Sequence, residues 1–278
     1  MNLKHILTAS SIAVIVAGPA LAENVLRWTS QGDALNIDPH SQNEAPTIAM
    51  NGQLYESRVT RDADLNLHPE LAESWSVDAD GWTFNLRKGI KFHDGADFTA
   101  EDVAFSFERA RHEASDYKEQ IKSITEVKVI DAHTIIFVTD GQNPNLPNQL
   151  TSLYIMDKGW AEANDIVAPQ NFKAQEENFA VRNANGTGPF TLVSRAPDEK
   201  TVMARNANWW GNGKFPGNVD RIEYRPITNA ATRVAALLSG EVDFVLDPPL
   251  QDLKRIEATD GLSVKTAAQI RTIFFGMD

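Results

Sequence analysis

From Trp82 to Arg87 the chain alternates, with Trp82, Phe84 and Leu86 interleaved with Thr83, Asn85 and Arg87. A period of two predicts a strand with one face buried. The turn residues Asp78-Ala79-Asp80-Gly81 join it to a preceding strand that starts in Leu71-Ala72-Glu73-Ser74-Trp75. A second turn at His93-Asp94-Gly95 leads into a helix predicted over 100–111, in which Val103, Ala104, Phe107 and Ala110 fall on one face. Thr99 stands where it can cap that helix, with Asp102 three residues on in the reciprocal position. Further strands are predicted at 25–29, before the polar loop Ser30-Gln31-Gly32-Asp33, and at 126–130 and 134–139, paired across Asp131-Ala132-His133. A helix containing Ile48, Met50, Leu54 and Tyr55 is predicted after Pro46.

From Gly188 the rhythm changes. A hairpin is predicted from 190–195 and 201–205 across Pro197-Asp198-Glu199, then a strand at 222–224 and a helix over 229–239, capped by Thr228 at its start and Gly240 at its end. A strand at 242–246, a break at Pro248-Pro249, a helix around Leu250, Leu253 and Ile256 closed by Gly261, and a strand at 262–266 follow; one more strand is predicted at 271–275. Strands alternating with helices build a sheet covered by helices. Residues 23–56 with 181–270 therefore read as an α/β core, 57–180 as a small β-rich subdomain, and 271–278 as a stub entering something further.

The first residues change where this fold must stand. Lys4 and His5 precede an apolar run from Ile6 to Ala17, and Ala20-Leu21-Ala22 supplies the small residues of a cleavage site. Residues 1–22 read as a secretory signal cleaved before Glu23, with a run too short to span a hydrocarbon layer of about 30 Å. There is no cysteine, so lipid attachment through a thiol is excluded and no disulfide staples the fold in an oxidising compartment. A net charge of -12 excludes tracking along a nucleic-acid backbone or lying on an anionic bilayer.

Few residues point to bond chemistry. Gly-x-Ser-x-Gly does not occur, and there is no thiol nucleophile. The six histidines have no spacing that places two on one helix face as zinc sites often do, and His93-Asp94 reads as a turn. No cofactor and no metal are expected. Trp209-Trp210-Gly211-Asn212-Gly213 is either a stacking platform or a plug for the core beneath a hairpin, the plug being favoured. Gly186-Thr187-Gly188 leads into a strand rather than a helix, so the helix N-terminus that would hold a phosphate is missing; a flexible crossing between subdomains is the expected role.

The segment 71–103, together with Asp38-Pro39-His40, Gly186-Thr187-Gly188-Pro189-Phe190, Arg205-Asn206-Ala207-Asn208-Trp209-Trp210-Gly211 and the run from Arg233 to Asp243, resembles the family 5 solute-binding proteins of ABC transporters, the group of dipeptide, oligopeptide and nickel receptors. The resemblance implies an α/β fold of the periplasmic-binding-protein type II class, a bilobed clamp. The family is close to twice this length, so the chain is expected to carry lobe one and only a stub of lobe two, and to hold ligand weakly alone. It also implies no enzymatic activity: a periplasmic monomer without a lipid anchor would capture a di- or oligopeptide between its lobes and deliver it to an inner-membrane permease. Nickel chelates, oligosaccharides and opines compete with peptides as ligand. A sensor or interaction protein on the same fold is a rival reading, and a secreted hydrolase a more distant one. In peptide-binding members an extended ligand adds as a strand to the cleft wall. Mapped here, the backbone after Asp38-Pro39-His40 gives Asn43 and Ala45, the end of the strand at 242–246 gives Leu246 and Asp247, and the loop after the capped helix gives Tyr117 as a pocket aromatic. The acidic group that meets a peptide's free amine in that family would lie in the second lobe.

Overall fold

The computed structural model describes residues 23–79 and 81–267. The signal segment 1–22 and the strand predicted at 271–275 lie outside the described residues. Eleven strands are described: β1 (Val25–Thr29), β2 (Val59–Arg61), β3 (Leu67–Pro69), β4 (Ala72–Asp78), β5 (Gly81–Leu86), β6 (Ile124–Asp131), β7 (Thr134–Thr139), β8 (Phe190–Ala196), β9 (Lys200–Arg205), β10 (Arg221–Tyr224) and β11 (Phe244–Val245). The helices are α1 (Ala45–Leu54), α2 (Ala100–Arg111), α3 (Leu146–Gln149), α4 (Lys158–Ala163), α5 (Ala230–Leu238) and α6 (Leu253–Glu257).

Strands β4, β5, β7 and β6 form an antiparallel sheet in that order. The alternation in β5 does what a period of two demands: Phe84 and Leu86 are buried while Asn85 is exposed. Gly81 opens the hairpin with φ +127, and a side chain there would meet the Phe137 carbonyl at 2.4 Å, so the turn tolerates only glycine. Helix α2 crosses this sheet and fills its core with Val103, Phe107 and Ala110. Phe137 is the centre of that core, edge-on to Phe84 and to Phe107 at 5.7 Å each. The capping of α2 follows the sequence reading: the Glu101 amide donates to Thr99 Oγ1 at 3.3 Å, and the Thr99 amide to Asp102 Oδ2 at 2.8 Å.

The second sheet has the order β11-β1-β10-β9-β8. Strand β1 lies between β10 and β11 and is parallel to both, whereas β10-β9 and β9-β8 pair antiparallel. Helix α1 packs on it through Met50 and Leu54, in a core shared with Trp28, Met203, Ile222 and Tyr224. A third cluster joins α5, β11 and α6 through Val234, Val245 and Ile256.

Several boundaries depart from the sequence reading. Asn229, not Thr228, caps α5, its side-chain oxygen accepting from the Thr232 amide at 2.9 Å; an asparagine amide oxygen suits the position as well as a hydroxyl does. The strand predicted at 242–246 shrinks to Phe244 and Val245, paired with Trp28 and Thr29, with single amide bonds from Asp243 to the Arg27 carbonyl and from Leu246 to the Thr29 carbonyl on either side. Residues 262–266 are irregular, and the helix expected from Leu250 begins as a 3-10 turn before α6. Tyr55 lies just past α1, whose final turn its amide closes on the Asn51 carbonyl. The Gly186-Thr187-Gly188 run is not slack. A side chain at Gly186 would meet the Leu54 carbonyl oxygen at 2.1 Å and one at Gly188 the Leu54 carbonyl carbon at 2.6 Å, so these glycines exist for close backbone contact with the end of α1. His93 locks the run further, its amide donating to the Gly186 carbonyl at 2.8 Å and its Nε2 to the Gly188 carbonyl at 3.1 Å.

Candidate functional site

In open α/β sheets the surface outside the carboxyl ends of parallel strands is where ligands are held, because the connecting loops diverge there and leave backbone groups unpaired. Here that edge is made by the ends of β1, β10 and β11. The Leu246 amide donates to the Thr29 carbonyl at 3.0 Å and the Ile227 amide to Ser30 at 2.9 Å, which fans the three loops apart. Ser30 Oγ and the Tyr224 hydroxyl lie 2.7 Å apart and both reach the Gly32 carbonyl. A buried Arg195 holds Asp33 at 3.2 Å and the Ala34 carbonyl at 2.6 Å, fixing the start of the loop that runs to α1.

The same loop is anchored again at Asp38. Arg109, on the buried side of α2, forms a two-pronged pair with it, Nη1 to Oδ1 at 2.5 Å and Nη2 to Oδ2 at 2.7 Å, both side chains having no exposed surface. The Gln170 amide adds a bond to Oδ2 at 2.9 Å, and the Arg109 Nε–H ends on the Ile166 carbonyl at 3.0 Å. His40 Nε2 donates to the Tyr154 carbonyl at 2.8 Å, which leaves Nδ1 to accept from Arg109 Nη1 at 3.1 Å. The ring is therefore the neutral Nε2–H tautomer, and burial together with the adjacent guanidinium pushes its pKa down to about 3. Burial alone would raise the Asp38 carboxyl, but the charge and hydrogen bonds of Arg109 outweigh it and keep it ionised. Asp38-Pro39-His40 is thus a rigid post, not a ligand site, and it holds the segment that follows.

Asn43 and Ala45 are exposed on that segment. Asn43 Nδ2 donates to the Asp116 carbonyl at 3.0 Å, and Ala45 opens α1. Leu246 is half-buried against the core of β1 and α1, so the end of β11 and the helix that starts at Ala45 share one packed layer. Asp247 is exposed, sits in the left-handed region at φ +53, and makes no hydrogen bond or ion pair among the described residues. A non-glycine residue held there is uncommon and costs energy that the surrounding structure must supply. Tyr117 is the exception among the expected contacts. It is fully buried in the core of the antiparallel sheet, with its hydroxyl unpartnered and its pKa raised by burial, so it offers no surface to a ligand; the apolar company of Ile121 and Ile124 drew it inward.

Sequence reasoning missed Arg109, which stands on a helix flank like any solvated arginine. The signal that could have found it was Asp38, since a carboxylate inside a recurrent motif needs a cation once buried. It also missed a second polar node, where the Trp209 and Trp210 indole N–H groups both donate to Glu56, at 2.9 and 3.0 Å. The tryptophans are neither a free platform nor a simple plug: Trp210 packs on the antiparallel core while its ring lies 4.4 Å from the Arg87 guanidinium. Among the described residues no cluster of three or more His, Asp or Glu is placed to hold a metal ion, and no helix is long and apolar enough to cross a membrane. A cavity of about 590 Å3 is lined by Val77, Trp82, Val138 and Asn143 among others, on elements other than those that carry Asn43 and Asp247.

This mixed α/β architecture is that of the periplasmic binding proteins. It superposes on the ABC transporter-associated periplasmic binding protein DppA from Helicobacter pylori, solved in complex with the peptide STSA, with a TM-score of 0.73 and 27% identity over 84% of this chain and 49% of that one. Residues 66–278 match the bacterial extracellular solute-binding proteins, family 5 Middle, and the chain belongs to that family. It is 27% identical over 274 residues to the glutathione-binding protein GsiB of Salmonella choleraesuis strain SC-B67, covering 97% of this chain and 51% of GsiB. It is also 27% identical over 271 residues to the periplasmic oligopeptide-binding protein OppA of Escherichia coli K12, covering 85% of this chain and 46% of OppA. The chain spans about half the length of the curated relatives it matches.

Proposed function

We propose that the chain belongs to the substrate-binding component of an ABC importer, exported to the periplasm behind the signal at residues 1–22 and acting as a monomer without bond chemistry. The ligand is a short peptide, held along the carboxyl-terminal edge of β1 and β11 and passed to a membrane permease. Glutathione, oligopeptides and the tetrapeptide STSA, which appear in the names of GsiB, OppA and the DppA complex, are all peptides with free charged ends, and that shared chemistry supports the reading. The observation that carries it is Asp247: a carboxylate without an internal partner, held in a strained backbone conformation at the end of a parallel strand, suits a charge-assisted bond to a cationic ligand group. Asn43 and Ala45 add backbone groups for an extended ligand, and Leu246 an apolar shoulder. Residues 57–180 act as a small subdomain beside this edge.

The test is amide chemical-shift mapping of the purified protein with a millimolar tripeptide, which registers weak binding. Shifts concentrated at 43–45 and 246–247, and lost in Asp247→Asn, are expected. Shifts confined to other surfaces, or none at millimolar peptide, would overturn the assignment.

A further inference from the structure

Glu56 and Glu70 flank one serine at the junction of the two sheets. Glu56 leaves the end of α1 and is 2% exposed. Its Oε1 accepts from both Trp209 and Trp210, and its Oε2 lies 3.0 Å from the Trp210 nitrogen. The Thr187 hydroxyl approaches the same carboxylate but falls outside hydrogen-bonding geometry. Glu70 Oε2 accepts from the Ser57 amide at 2.8 Å and lies 2.8 Å from Ser57 Oγ.

The proton count around Ser57 is the informative feature. Its hydroxyl oxygen has three oxygens within hydrogen-bond distance: Glu70 Oε2 at 2.8 Å, the Val59 carbonyl at 2.6 Å and the Thr151 carbonyl at 3.1 Å. A hydroxyl carries one proton, and both carbonyls can only accept. If Glu70 is ionised, at least two close oxygen pairs have no hydrogen between them. If Glu70 carries a proton, it donates to Ser57 Oγ, and the serine proton goes to a carbonyl.

Charges around the pair agree. Neither Glu56 nor Glu70 has a cation within salt-bridge distance among the described residues. Arg87 is the positive group that faces Glu56, yet it is stacked on Trp210, donates from Nε to the Glu70 main-chain carbonyl at 2.5 Å, and lies 3.7 Å from the exposed Glu73. Tyr154, which faces Glu70 from the next segment, is neutral, its pKa raised by burial. Glu56 is buried and Glu70 half-buried, and two carboxylates that feel each other's charge with only neutral donors against them cannot both ionise cheaply.

We propose that Glu56 and Glu70 together hold one proton in the folded chain at neutral pH, centred on Glu70 and Ser57, and that its loss loosens the tryptophan loop at 209–210 from the junction of the two sheets. The device is proton-operated: in mild acid the loop is latched, and in mild base two like charges face each other behind the indoles. Burial, and for Glu70 also the charge on Glu56, push both carboxyls far above their usual range, which places the transition within reach of ordinary buffers.

Difference infrared spectroscopy across pH 6 to 9 tests this, with tryptophan emission recorded in parallel. The expected result is a protonated-carboxyl carbonyl band at pH 6 that disappears toward pH 9 in step with a change in tryptophan emission. Glu70→Gln, which reproduces the donor pattern of the protonated acid, should remove both signals while the protein stays folded. Absence of the band in the folded wild-type protein at pH 6 overturns the proposal, and this arm needs no variant. Persistence of band and emission change together in both Glu70→Gln and Glu56→Gln assigns the proton to another group, such as Asp102 or Asp157, and overturns it equally.

Discussion

Two buried polar nodes hold this chain together, and they solve the same electrostatic problem in opposite ways. At Asp38 the negative charge is met by a guanidinium in a two-pronged geometry, with a neutral histidine filling the remaining donor and acceptor positions. At Glu56 and Glu70 no cation is paired, and only neutral donors point at the carboxylates. The difference lies in what each node can tolerate. A charge pair resists base but fails in acid or if one member is lost; a protonated acid survives loss of its charge but is sensitive to base.

The signs follow from the shifts. His40 is pushed below its unfolded value of 6.5 to about 3 and Asp38 is lowered as well, so the first node contributes stability that is lost as pH falls. Glu56 and Glu70 are raised above 4.5, so their contribution is complete below about pH 4.5 and is lost as pH rises through neutrality into mild base.

Substitution separates the nodes most sharply. Arg109→Leu leaves Asp38 buried without a partner and is expected to cost about 3–5 kcal/mol in urea unfolding at pH 7, whereas Glu70→Gln under the same conditions should change stability by less than about 1 kcal/mol. Equal losses would show that Glu70 acts as an ionised carboxylate at pH 7. Gly186→Ala asks whether the junction between them is rigid. Its methyl would press on the Leu54 carbonyl, so a loss of about 1–3 kcal/mol is expected; an unchanged urea midpoint would mean the glycine run can back away from the end of α1. The reference case lies outside both nodes. Thr99→Ala removes one cap bond from α2, and a loss of about 1 kcal/mol should appear with no dependence on pH between 6 and 9. A pH-dependent loss would mean that the cap reports on its Asp102 partner instead.

How far these features were legible depends on how local their causes are. Strand β5 and helix α2 could be read because the alternation of Trp82, Phe84 and Leu86, and the spacing of Val103, Phe107 and Ala110, are written within one element each. The boundary of β11 was misread because its length is set by its register against β1, where only Phe244 and Val245 face strand partners, not by its own apolar run Val242 to Leu246. Arg109 meets Asp38 across 71 positions, and Trp209 meets Glu56 across 153; no window on either residue contains the partner that explains its burial. Tyr117 failed for the converse reason, since its aromatic character fits a pocket or a core equally well. Asn43, Ala45, Leu246 and Asp247 came from the resemblance, and their exposed or half-exposed placement gives the proposed ligand contacts a surface to act from.

The placement of β1 sets a condition on how the molecule is made. Its neighbours on either side come from 221–224 and 244–245, so the strand at 25–29 stays without its full pair of partners until residue 245 has been synthesised. The antiparallel sheet needs no such delay, since its strands fall within 72–139. Closing so long a loop is entropically costly and slow. The sheet around β1 is thus the late-closing half of the molecule, still waiting for its neighbours when the antiparallel sheet is already complete.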